Sequence, residues 1–160
     1  MVIKVIELGE QAALKMQKAD EMLYPDIVIK DLPLYGNQFI PLGIKTTLTE
    51  RIRIASLFDS YCNGGSIAHI NIEGPFNNFE QCWDLVEYIA DQGLTYFAFN
   101  VRIQACKHNH AFFGTVCPIC GEGVDTEYTR IVGFYVPVKT WSKERKEEYT
   151  MREWESINGE

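Results

Sequence analysis

Five side chains able to hold a metal ion fall in one short run, QACKHNHAFFGTVCPICGEG at 104–123: Cys106, His108, His110, Cys117 and Cys120. A structural zinc ion takes four sulfur or nitrogen ligands in a tetrahedron, and Cys-x2-Cys followed by Gly makes a tight turn whose two sulfurs face one point. Cys117-Pro118-Ile119-Cys120-Gly121 has that form. The other half of the site then comes from Cys106 and one histidine on the opposing strand of a hairpin. His110 is preferred, because three intervening residues let the loop close on the metal, whereas His108, only two positions from Cys106, points away. Four protein ligands leave no open coordination position, so such an ion serves folding rather than catalysis. Structural zinc contributes on the order of 10 kcal/mol, enough to hold a hairpin with little core of its own. The competing reading is a set of reduced core cysteines beside surface histidines.

A second feature follows at once. In Tyr128-Thr-Arg130-Ile131-Val132-Gly133-Phe134-Tyr135 a glycine interrupts a β-branched and aromatic run. Glycine there forfeits side-chain packing and backbone entropy, so something must require it. A bulge or a close backbone approach is the ordinary reason. Cys62 and Cys82, in or beside helical segments, read as small hydrophobes used for packing.

The rest of the chain must position these residues. It has 160 residues, 46% of them apolar and 23% charged, which suits one packed domain. No run of eighteen apolar residues occurs, and Met1-Val2-Ile3-Lys4 lacks the basic-then-apolar order of a signal peptide, so a cytoplasmic protein without a membrane partner is expected. A net charge of −7 weighs against nucleic acid or an anionic membrane surface, and 104–123 carries one Lys and no Arg. The odd count of five cysteines suits a metal site in a reducing compartment better than disulfides.

Leu8, Ala12, Met16, Ala19 and Leu23 recur at helical spacing before Pro25 and predict a first amphipathic helix over 8–24. Residues 31–43 hold Pro33, Gly36, Asn37, Pro41 and Gly43 and read as a long extended loop, whose Leu32, Leu34, Tyr35, Phe39, Ile40 and Leu42 need burial. Thr47-Leu-Thr-Glu50 predicts a reciprocal cap on a second helix that ends near Tyr61, before Asn63-Gly64-Gly65. Ser66–Glu73 alternates as a strand with one apolar face of Ala68, Ile70 and Ile72. A third helix runs from a cap at Asn77 or Asn78 to Gly93, and 94–103 reads as one further strand, giving a strand–helix–strand unit with a parallel pair. After the hairpin come a strand-like run over 126–136 and a charged helix opening at Ser142. The order implies an α/β architecture.

From about Leu34 onward the sequence resembles the C-terminal part of the anaerobic (class III) ribonucleoside-triphosphate reductases, which are glycyl-radical enzymes. The resemblance rests on YCNGGSIAHINI (61–72), TYFAFNVRI (95–103), the four-ligand hairpin, RIVGF (130–134) and the tail YVPVKTWSKERKEEY, in that order and spacing. It implies the C-terminal portion of a glycyl-radical-enzyme barrel with an appended zinc-ribbon-like hairpin and a glycyl-radical loop, divided as a partial barrel segment over 1–103, a zinc hairpin over 104–123, and the radical loop with its C-terminal helix over 124–160.

The resemblance further implies that Gly133 stores the radical. Removing hydrogen from its Cα leaves a centre that must flatten, and only glycine has no Cβ to crowd it. In the family an activating enzyme with an iron-sulfur cluster and S-adenosylmethionine abstracts that hydrogen. The glycyl radical then makes a thiyl radical on a cysteine, which attacks the ribose of a ribonucleoside triphosphate. Three departures accompany the match. The hairpin offers three Cys and one His where many members use four Cys, and Phe134 stands where Tyr is common. Members are also several times longer, their upstream portion carrying the nucleotide sites and the thiyl cysteine. Neither Cys62 nor Cys82 occupies that cysteine's place, so the partner implied is the upstream catalytic portion of the reductase. Two other readings stand beside this one: a replaceable glycyl-radical subunit of the pyruvate formate-lyase type, against which the hairpin argues, and a zinc-stabilised binding module without chemistry.

Overall fold

A capped helix shows how local sequence sets the elements of this computed structural model, which describes residues 10–26, 38–62, 66–131 and 133–157. Helix α1 is Glu10–Leu23 and α2 is Leu48–Asp59. Thr47 caps α2, its hydroxyl accepting from the Glu50 amide at 3.2 Å. Only half of the reciprocal cap forms, because the Glu50 carboxylate is taken by Arg53 through two hydrogen bonds of 2.9 and 2.7 Å. A charged, bidentate partner outcompetes a single backbone amide.

The chain divides into two units, Met1–Ser66 with Ser142–Glu153, and Ile67–Trp141 with Trp154–Glu160. In the first, the buried Arg51 guanidinium gathers the carbonyls of Ile40, Pro41 and Ile44 at 2.8 to 3.3 Å. This holds the described end of the extended loop; Leu32, Leu34 and Tyr35 lie outside the described residues. Phe39 stacks on Phe58 at 4.9 Å, and Ile40 and Leu42 are half-buried. Gly43 is needed by close approach, since a Cβ there would lie 3.0 Å from the Met151 carbonyl oxygen. Met151 ends α4, Lys143–Thr150, which Ser142 caps as expected. The face expected for α1 is not covered among the described residues: Met16 and Leu23 are exposed, and Leu8 lies outside them.

The second unit carries the parallel pair. Strand β1, Ala68–Asn71, pairs with β2, Phe97–Asn100, through helix α3, Phe79–Asp91. Asn78 is the cap, its Oδ1 accepting from the Gln81 amide at 2.8 Å, and Gly93 ends the helix at φ +81°. Ile70, Ile72, Ile89 and Leu94 form the core here, each worth about 1.5–3 kcal/mol on burial. The expectation of one apolar face on β1 is corrected, because His69 and Asn71 are buried as well. Parallel strands are covered on both sides.

The single strand expected over 94–103 is two. The chain leaves β2 at Asn100 and re-enters a second sheet as β3, Ile103–Ala105. That sheet has the order β4-β3-β5-β6, with β4 Ala111–Phe112, β5 Thr126–Arg130 and β6 Tyr135–Pro137, all antiparallel. The run expected over 126–136 is therefore a hairpin. Gly133 sits in its turn rather than inside a strand.

Candidate functional site

The four-stranded sheet has the metal-ligand cluster at one place and the glycine turn at another. Strand β3 runs directly into Cys106, and β5 runs directly into the turn holding Gly133. The two strands are paired, Ile103 with Tyr128 and Ala105 with Thr126. The hairpin and the strand that leads to the glycine thus share a hydrogen-bonded ladder.

Two knuckles make the cluster. At the first, the Asn109 amide donates to the Cys106 carbonyl at 2.9 Å and Asn109 takes φ 61°, a left-handed conformation that asparagine tolerates. This turns the chain so that the Cys106 amide donates to the His110 carbonyl at 3.2 Å, bringing His110 round beside Cys106. At the second, Gly121 at φ +73° donates to the Cys117 carbonyl at 2.9 Å, as the Cys-x2-Cys-Gly spacing requires. Cys106, His110, Cys117 and Cys120 then place their ligand atoms within 4.8 Å of one another. His108 lies outside this group and is exposed.

The donor set fits zinc. Cys120 Sγ is 3.6 Å from Cys106 Sγ, and Cys117 Sγ is 3.5 Å from His110 Nδ1. A tetrahedron with zinc–sulfur bonds of about 2.3 Å has edges of about 3.8 Å, so an ion fits with little movement. The electrostatics favour it too. Burial pushes the Cys117 thiol up, but the Cys120 and Ile119 amides, with the Cys120 thiol and His110, more than offset this and bring it down to about 6. The Glu122 amide lowers Cys120, yet burial and the Cys117 and Cys106 sulfurs together hold it above its ordinary value. Both shifts suit a cation, which would favour the thiolate form and relieve the crowding of the sulfurs. The hairpin's buried cluster is Cys106, Phe112 and Cys117, so two of its three members are themselves candidate ligands. Its lysine, Lys107, pairs with Glu122 at 2.6 Å.

The glycine turn is built differently. Glycine at 133 is not explained by close packing: a Cβ built on it meets nothing within 4 Å among the described residues. The close-approach explanation therefore lapses; Val132 lies outside the described residues. Around the turn is a polar network that sequence reading missed. Asn100, fully buried, donates from Nδ2 to Asn71 Oδ1 at 2.7 Å. Its Oδ1 accepts from Thr129 Oγ1 at 2.8 Å and from the Arg130 amide at 3.1 Å. The Arg130 guanidinium donates to the Gly133 carbonyl and lies 4.7 Å above the Tyr135 ring, whose hydroxyl accepts from the Val101 amide at 3.2 Å. The available signal was an asparagine closing the otherwise apolar strand Phe97-Ala-Phe-Asn100. Cys62 and Cys82 are half-buried rather than core residues.

No helix among the described residues is long and apolar enough to cross a membrane. No curated protein sequence matches the chain. Solved structures do. An anaerobic ribonucleotide reductase superposes with a TM-score of 0.80 at 40% identity, over 92% of this chain and 24% of its own. The Thermotoga maritima anaerobic ribonucleotide reductase in complex with dATP and CTP gives 0.69 at 38% identity, over 90% and 23%. The same enzyme with glycerol in the active site gives 0.71 at 40%, over 88% and 23%. The chain spans about a quarter of the length of these solved relatives. The family model for anaerobic ribonucleoside-triphosphate reductase matches residues 9–154. On a match of that extent, with the mixed α/β fold of the solved enzymes beneath it, this chain belongs to the anaerobic ribonucleoside-triphosphate reductase family.

Proposed function

We propose that this chain is the radical-bearing portion of an anaerobic ribonucleoside-triphosphate reductase, with Gly133 as the radical store and Cys106, His110, Cys117 and Cys120 as ligands of a structural zinc ion. The observation that carries the reading is a glycine whose added Cβ would meet nothing within 4 Å among the described residues, in a turn held by a buried polar network on the sheet that also bears the ligand cluster. A glycine that close packing does not demand, yet is held by such a network, is accounted for by chemistry at its Cα. Loss of a hydrogen atom there leaves a flat centre conjugated with the amide nitrogen and the carbonyl, which a side chain would twist.

The activating enzyme is a radical S-adenosylmethionine protein with an iron-sulfur cluster, and the partner is the portion of the reductase that carries the thiyl cysteine and the nucleotide sites. The radical passes to that cysteine, which begins reduction of a ribonucleoside triphosphate to the deoxyribonucleotide. Zinc, held by the four ligands, supplies rigidity and no chemistry. Functionally the chain divides at the hairpin: 1–103 as barrel segment, 104–123 as zinc hairpin, 124–160 as radical loop and terminal helix. The family match sets aside the pyruvate formate-lyase-type subunit, and the paired Lys107 leaves the hairpin without the basic face a nucleic-acid module needs.

Anaerobic incubation of the chain with the activase, S-adenosylmethionine and a reductant tests this by electron paramagnetic resonance. A doublet is expected and is lost in Gly133→Ala, whose fold is unchanged. Absence of a signal, with an activase active on a control substrate, rejects the reading. The chain alone is expected to bind zinc and take the radical without reducing nucleotides.

A further inference from the structure

The Gly133 carbonyl is the acceptor half of the conjugated centre on which the proposed function depends, and it receives a hydrogen bond from a cation, Arg130. That cation is fixed at both ends. Its backbone amide is bound by Asn100 Oδ1 at 3.1 Å, deep in the buried network, and its guanidinium is spread over the Tyr135 ring at 4.7 Å. Tyr135 is in turn pinned through its hydroxyl to the Val101 amide. The guanidinium therefore reaches Gly133 from a preformed position rather than as a mobile surface side chain.

A radical at Cα is stabilised when the nitrogen on one side gives electron density and the carbonyl on the other withdraws it. A positive hydrogen-bond donor on the carbonyl oxygen strengthens the withdrawing side and draws unpaired spin away from Cα. A charge-assisted bond is stronger than a neutral one, and Arg supplies a planar donor that keeps its charge at any working pH. We propose that Arg130 is a positioning residue that tunes the glycyl radical, fixing the Gly133 peptide and delocalising its spin onto the carbonyl. The inference rests on the radical assignment of Gly133 and adds to it a side chain with a measurable electronic effect.

The test compares the full chain with Arg130→Met, which keeps an unbranched side chain but removes the donor, and Arg130→Lys, which restores a cationic donor. The doublet splitting reports spin on Cα, a quantity that a purely structural role leaves unchanged. Arg130→Met is expected to widen the splitting and to quicken anaerobic decay on the order of tenfold, the ratio one charge-assisted hydrogen bond supports. Arg130→Lys is expected to return both part of the way. A splitting and decay in Arg130→Met equal to those of the unsubstituted chain overturn the proposal while leaving Gly133 as the radical site. If Arg130→Met takes up no radical, the carbonyl carbon resonance of isotope-labelled Gly133 in the resting chain decides: an unchanged shift overturns the proposal, and a moved shift with radical restored by Arg130→Lys upholds it. No doublet in the unsubstituted chain instead rejects the function on which the proposal rests.

Discussion

The ligand hairpin and the glycine turn share one sheet and are stabilised by opposite means. In the hairpin the buried groups are two cysteines, one phenylalanine and one alanine, so without a metal little apolar surface would hold it. The glycine turn instead hangs from Asn71, Asn100 and Thr129, each almost wholly buried and each hydrogen-bonded within the folded chain. On the proposed function, one region would borrow its stability from an ion and the other owns it. A radical store would benefit from that arrangement, because the network around Gly133 does not depend on the ion.

Breaking the two regions separately should give effects of very different size. The largest is expected from Cys117→Ser with Cys120→Ser. Loss of two ligands removes a contribution on the order of 10 kcal/mol, so metal analysis should find no zinc and amide exchange should show β3–β4 open while β1–α3–β2 stays protected. If zinc is lost and the radical yield is nevertheless that of the unsubstituted chain, the hairpin does not position the glycine turn. Asn100→Ala comes next. It deprives Asn71 Oδ1, Thr129 Oγ1 and the Arg130 amide of one buried partner, for about 2–3 kcal/mol by thermal or denaturant unfolding, with zinc content unaffected. The smallest effect belongs to Gly133→Ala. Its new methyl meets nothing within 4 Å, so stability should stay within about 0.5 kcal/mol, which makes loss of the radical in that variant a chemical result and not a folding one.

The same two regions differ in how far they could be read in advance. The grouping of Cys106, His110, Cys117 and Cys120 was legible because its information is local: Cys-x2-Cys-Gly specifies its own turn, and only the left-handed Asn109 that swings His110 into place went unread. The strand–helix–strand unit was legible for the same reason, through alternation in β1 and the cap and stop of α3. The polar network was not. Asn100 meets Thr129 and Arg130 from some thirty positions away in sequence, and no periodicity announces a contact of that separation. For the same reason the break after Asn100 was hidden inside a continuous aromatic and β-branched run. The strand ends there because its last side chain is engaged by β5. Asn71 misled in a further way, because alternation assigned it to a polar outer face, whereas a parallel strand has no outer face.

Gly133 lies in the connection between two strands that are paired along their length, Thr129 with Val136 and Arg130 with Tyr135. On the radical assignment proposed for Gly133, a carbon radical at that point would add dioxygen and the backbone would part there. The piece beyond the break is not thereby released. It keeps the β5–β6 ladder, the Ile72–Glu155 bridge, the bond from Gln81 to the Ile157 carbonyl, and the Glu153 amide on Leu42. Air-exposed, activated protein should therefore run as two bands when denatured and elute as one species when native. On that assignment, oxygen damage would be a nick concealed by the fold itself.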